Sequence, residues 1–104
     1  MALLTQAEAE RSVPAADVAL FTGSDADVIA ELLDEASDFV QEYATAAGHT
    51  LVAGSLTKST RRRIAVVFIY YAACRYKKAR NAQGKAPYHD EYETVVQELK
   101  DWSK

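Results

Sequence analysis

One cysteine, two prolines and four glycines are all that this sequence of 104 residues contains of those types. A lone thiol, Cys74, excludes an internal disulfide, and its place inside an apolar run marks it as a small buried hydrophobe rather than a reactive group. The glycines stand singly at positions 23, 48, 54 and 84, so no glycine-rich loop exists to cradle a phosphate. His49 and His89 lack HxxxH or HExxH spacing and have no cysteine partner, which removes the usual metal-ligand patterns. The longest apolar run, residues 64–74, falls short of the roughly twenty residues needed to span a bilayer. It also lacks the polar face of an interfacial helix. The opening "MALLTQAEAER" has no basic region ahead of an apolar core, so it is no secretory leader, and the chain is expected to be intracellular when made. No nucleophile–base pairing stands out, and "YHDEYE" around His89 reads as a solvated helix start. The expectation is a non-enzyme with no cofactor and no metal.

What is present is helical. Apolar residues make up 49% of the chain and charged residues 26%, an ordinary globular balance for a single domain over residues 1–104. Thr5 and Glu8 have capping-box spacing and predict a short first helix. Pro14 suits the first turn of a second short helix, which Gly23 ends. The first long helix is predicted from Ser24, as cap, to Gly48. It carries an apolar stripe through Val28, Ile29, Leu32, Leu33, Ala36, Phe39, Val40 and Tyr43, with acids opposite. A connector, with an extended stretch at 50–52, leads from Thr57 as cap into the second long helix over residues 58–81, followed by Gly84. Its middle is apolar on every side, so other elements must surround it. Pro87 opens a last helix whose stripe is Tyr88, Tyr92, Val95, Leu99 and Trp102. The predicted fold is all-α: a small bundle of two short N-terminal helices, two long helices and a C-terminal helix.

Charge is strongly segregated although the formal net charge is only −3. Residues 1–56 carry ten acids and one base, Arg11; residues 57–86 carry nine bases and no acid. Residues 87–104 return to five acids and two lysines. A basic helix among acidic ones gains surface ion pairs, each worth about 0–1 kcal/mol, and Arg75, Lys77, Lys78 and Arg80 suit a helix C-terminus. Arg61, Arg62 and Arg63 stand at the unfavourable end. Successive residues point about 100° apart, so one neighbouring helix cannot meet all three, and some are expected to face water, another subunit or an anion.

Two functional classes follow. The basic segment 58–85 with Tyr70, Tyr71 and Tyr76 could contact phosphate and stack on bases, as in a small nucleic-acid-binding or regulatory protein. Opposed acidic and basic surfaces suit an interaction module that assembles head to tail, with Tyr88, Tyr92 and Trp102 exposed as anchors.

The order of elements decides between them. "SDADVIAELLDEASDFVQEY", then "LTKSTRRRIAVVFIYYAACRYKKAR", then "YHDEYETVVQELKDW" resembles the head–tail connector (adaptor, or head-completion) proteins of tailed bacteriophages, in particular the Mu-like prophage branch. The residues carrying the resemblance are Asp25, Ile29, Leu33, Ala36 and Ser37; Ile64, Ala65, Ile69 and Tyr71; and Tyr92 and Val96. It covers nearly the whole chain. The connector "GHTLVAGSLT" lacks the proline that members often carry there. The resemblance implies an all-helical, non-enzymatic structural subunit in the virion neck, present in the host cytoplasm during assembly. It implies a self-assembled ring, usually a dodecamer, bound to the portal protein and to the next neck or tail-completion protein. DNA would pass through without sequence-specific contacts, and no membrane is involved. The interface candidates are Arg61, Arg62, Arg63, Arg75, Lys77, Lys78, Arg80, Tyr88, Tyr92 and Trp102.

Overall fold

The computed structural model describes residues 2–76 and 86–102. Within them run five helices: α1 (Gln6–Ala9), α2 (Ala15–Thr22), α3 (Ala26–Ala46), α4 (Lys58–Tyr76) and α5 (His89–Asp101). No strand occurs among the described residues. The extended stretch expected at 50–52 is irregular loop, pinned by burial of Leu56 and half-burial of Leu51. The continuation of α4 toward residue 81, and Gly84 after it, lie outside the described residues.

Local chemistry sets most boundaries. Thr5 Oγ1 accepts from the Glu8 amide at 3.2 Å, and Glu8 Oε1 accepts from the Thr5 amide at 3.1 Å, closing the expected capping box. Those bonds, the backbone one foremost, lower the pKa of the Glu8 carboxyl. Gly23 ends α2 in the left-handed region at φ 66°. The α3 cap is Asp25, not Ser24. Ser24 sits at φ 58° because the left-handed turn continues through it, so the next residue enters the helix. Asp25 Oδ1 then accepts from the amides of Asp27 at 2.9 Å and Val28 at 3.3 Å. At the far end Gly48, at φ 81°, makes the Schellman turn, with the His49 amide donating to Ala44 O at 2.8 Å. Thr57 Oγ1 caps α4 through the Thr60 amide at 3.2 Å.

The second long helix is the axis of the bundle. α1, α2, α3 and α5 all pack on α4. Ile64, Ala65, Val67, Phe68, Ile69 and Ala72 are fully closed to solvent. The stripe of α3 contributes Ile29, Leu32, Leu33, Ala36 and Val40, and α5 contributes Val95 and Leu99. One polar group is buried for a reason: Ser37 Oγ donates to Leu33 O at 2.7 Å and accepts from the Leu3 amide at 2.9 Å, tying the N-terminal segment to α3. Cys74 departs from expectation. It is half-buried and lines a surface cleft with α3, at the edge of the core instead of inside it.

Phe68 has the largest fully buried side chain. Phe68→Ala is expected to lower stability by about 3–5 kcal/mol in denaturant titration. A loss under 1 kcal/mol would refute α4 as the centre of the core.

Candidate docking surfaces

The three arginines at the start of α4 are all engaged within the chain. Arg62 Nη2 donates to both Glu98 oxygens, at 2.7 and 3.1 Å, and Arg63 Nε donates to the nearer one at 3.1 Å. Arg63 also lies over the Trp102 ring, 4.9 Å from its centroid. Arg61 turns the other way, and its Nη1 donates to Leu56 O at 2.7 Å. One helix, α5, therefore meets two of the three, as the angular argument requires. The third bonds the connector of its own chain, and Arg62, with 43% of its side chain exposed, reaches water. Glu98 supplies the negative charge that the helix N-terminus lacks. At the other end of α4, Arg75 reaches Glu31 of α3 at 3.1 Å, both side chains about half exposed. Lys77, Lys78 and Arg80 lie outside the described residues.

The expected aromatic anchors are not exposed. Tyr88, Tyr92 and Trp102 are half-buried and pack against the core. Tyr92 stacks on Tyr70 with ring centroids 4.1 Å apart, and the Tyr88 hydroxyl donates to Asp17 of α2. Burial raises the Tyr88 pKa, and that hydrogen bond raises it further. Tyr88 itself takes the left-handed conformation at φ 67°, a strain of about 1–2 kcal/mol that its packing and hydrogen bond offset. These rings fasten α5 to the bundle.

Two clefts of opposite charge remain open. A cleft of about 490 Å³ between α3 and α4 is lined by exposed Glu35, Asp38 and Glu42, by half-buried Phe39, Tyr71 and Cys74, and by Arg75, which bonds Glu31. The carboxylates follow a spacing of three and four on α3, which places them on one face. Burial chiefly, then Tyr92, raises the Tyr71 pKa, and the charges of Glu35 and Glu42 add to it. The second, about 330 Å³, is lined by Arg11, Ser12, Lys58, Ser59 and Arg62, with no acid among them. Arg11 and Lys58 form no ion pair among the described residues, and neither do Glu35 and Glu42. Sequence reading missed the grouping of Arg11 with Lys58. A lone arginine in an acidic stretch gives no signal until the turn after α1 returns it to the start of α4.

His89 is not as isolated as its spacing suggested. Its Nε2 lies 2.8 Å from Glu93 Oε1, and donor atoms of His89, Asp90 and Glu93 come within 4.8 Å of one another. The i, i+4 pairing of His89 with Glu93 accounts for that approach, and the positive end of α5 disfavours a cation there. No described helix is long and apolar enough to cross a membrane.

Truncating Glu98 (Glu98→Ala) leaves the largely buried Arg63 without its carboxylate, and stability is expected to fall by about 1–2 kcal/mol. Glu31→Ala, at the exposed pair, is expected to stay within about 0.5 kcal/mol. Equal losses in a urea titration would contradict the ranking. A group whose pKa is raised by folding contributes stability below its unfolded pKa and loses it above. Tyr71, Tyr88 and Tyr92 all have raised pKa values, so stability is expected to hold up to pH about 10 and decline beyond it. Thermal melts of wild type and Tyr88→Phe between pH 8 and 11 check this, the variant showing the shallower decline. No family model, curated protein or solved structure matches this chain.

Proposed function

We propose that the chain is a structural subunit of the neck of a tailed bacteriophage. In this reading it is a head–tail connector that forms a ring against the portal protein, extends the DNA channel and receives the next neck or tail-completion protein. The carrying observation is a helical body with an acidic cleft and a basic groove, in which Glu35, Glu42, Arg11 and Lys58 form no ion pair among the described residues. Surfaces of this kind give register and direction to subunit contacts. The order of the helices, which resembles that of the connector family, supports the same reading.

The interface candidates take distinct parts in it. Arg62, Arg63 and Trp102 shape the α4–α5 end from within, while Tyr88 and Tyr92 set the angle of α5. Among the described residues, Arg11, Lys58 and the exposed part of Arg62 are cations that a neighbour could meet. The competing reading, a nucleic-acid-binding protein using residues 58–85, has less to draw on, because Arg62, Arg63 and Arg75 already hold Glu98 and Glu31.

The test is the copy number of the chain relative to the portal protein in purified virions. A fixed ratio near one to one is expected; absence from the particle overturns the proposal. In parallel, duplex DNA titrated against the purified chain is expected to show little affinity at any salt. A steep linear fall of log K with log salt would favour the nucleic-acid reading instead.

A further inference from the structure

The two clefts sit toward opposite ends of α4. Lys58, Ser59 and Arg62 belong to its first turns, and Tyr71, Cys74 and Arg75 to its last. At 1.5 Å per residue the two groups are separated along the axis by roughly 20 Å. The charges themselves stand on different elements, Glu35 and Glu42 on α3, Lys58 on α4 and Arg11 in the turn after α1, and no ion pair joins them among the described residues. A second molecule can bring them together.

We infer that the acidic, aromatic-lined cleft of one copy receives the basic groove of a second copy of this chain. Arg11 and Lys58 enter between Glu35 and Glu42, which have no cation of their own among the described residues. The stems of these long side chains lie along apolar surface while their charged heads reach the carboxylates. The ring faces of Phe39 and Tyr71 can take a guanidinium by cation–π contact, which favours Arg11 as the deeper of the two. Arg75 does not block entry, because it is turned to Glu31. The serine hydroxyls of the groove add donors to the same carboxylates. Two different patches meet in this contact, so it is heterologous. Each added copy presents one unused patch of each sign, and growth stops only by closing a ring. This inference rests on the ring-subunit reading above and specifies which surfaces meet.

Four substitutions in two sets test it on the full chain. Glu35→Lys with Glu42→Lys reverses the cleft; Arg11→Glu with Lys58→Glu reverses the groove. None of these residues forms an ion pair among the described residues, so both variants are expected to melt near the wild type, with Arg11→Glu giving up only a weak attraction to Glu8. Lys58→Glu also places a favourable charge in the first turn of α4. Sedimentation and native mass spectrometry at low salt are expected to show concentration-dependent association of the wild type, weakened by added sodium chloride. Each variant alone is expected to associate roughly a hundredfold more weakly. An equimolar mixture of the two is expected to recover association, because every contact in an alternating assembly is again between opposite charges. If a reversed variant fails to fold, the glutamine substitutions at the same positions replace it, with a smaller loss expected.

A wild type that stays monomeric at millimolar concentration overturns the inference. So do variants that associate like the wild type, or a mixture that fails to recover. These results separate from the neck proposal. Association that follows the charge pattern in a chain absent from virions sinks the neck reading alone. Wild-type incorporation of both reversed variants into virions sinks the contact alone.

Discussion

A nineteen-residue helix whose middle is apolar on every side cannot rest against one partner and leave the rest to water. Burying α4 requires cover from all directions, and the other four helices supply it: α3 and α5 with long stripes, α1 and α2 with short ones. The two short helices would not persist alone, since isolated helices of this length are marginal in water. They are held because Ala9, Val13, Val18 and Phe21 close what the long helices leave open around α4. The constraint extends to the ends of α4, where cations begin as soon as the cover stops.

Those cations are handled in two ways. Arg61, Arg62 and Arg63 share a helix N-terminus, where positive charge is unfavourable, and three like charges repel. Glu98 takes two of them and the carbonyl of Leu56 takes the third. Arg63 is worth more to the fold than Arg62, because only 16% of its side chain is exposed, against 43%. The same carboxylate fixes the end of α5, and Trp102 closes the arrangement by lying under Arg63. Charge that looked like a docking device is thus partly internal wiring. Among the described residues Arg11, Lys58, Glu35 and Glu42 are left outside that wiring, with no ion pair of their own.

The sequence is most legible where chemistry is local. Thr5 with Glu8, Gly23, Gly48 and Thr57 obey capping rules that involve neighbours within four residues, and each marks a boundary in the fold. The choice of Asp25 over Ser24 was missed because both side chains can cap, and a single left-handed residue decides between them. The all-round apolarity of α4 predicted its enclosure without saying by what. The pairing of Arg62 with Glu98, 36 residues apart, left no trace in periodicity, since Glu98 reads as one more acid on the outer face of α5. Tyr88 and Tyr92 misled for a related reason. An aromatic stripe near a chain end can be an anchor for a partner or a staple for its own helix, and only the packing of Tyr92 on Tyr70 separates the two.

Two clefts walled by one encased helix have a mechanical consequence. Loops flex, so an interface built on them varies in spacing from copy to copy, whereas α4 is fixed by packing along its length. The distance between cleft and groove, and the rotation between them around the helix axis, are therefore properties of the core. A heterologous contact repeats that rotation at each step, so the core that stabilises one subunit also sets the curvature of any assembly built from it. Substitutions in the wall of α4 that leave the fold intact but shift its packing by one side chain would alter that curvature without touching a charged residue. Core and surface are linked here through geometry, because α4 forms the centre of the core and lends a wall to each cleft.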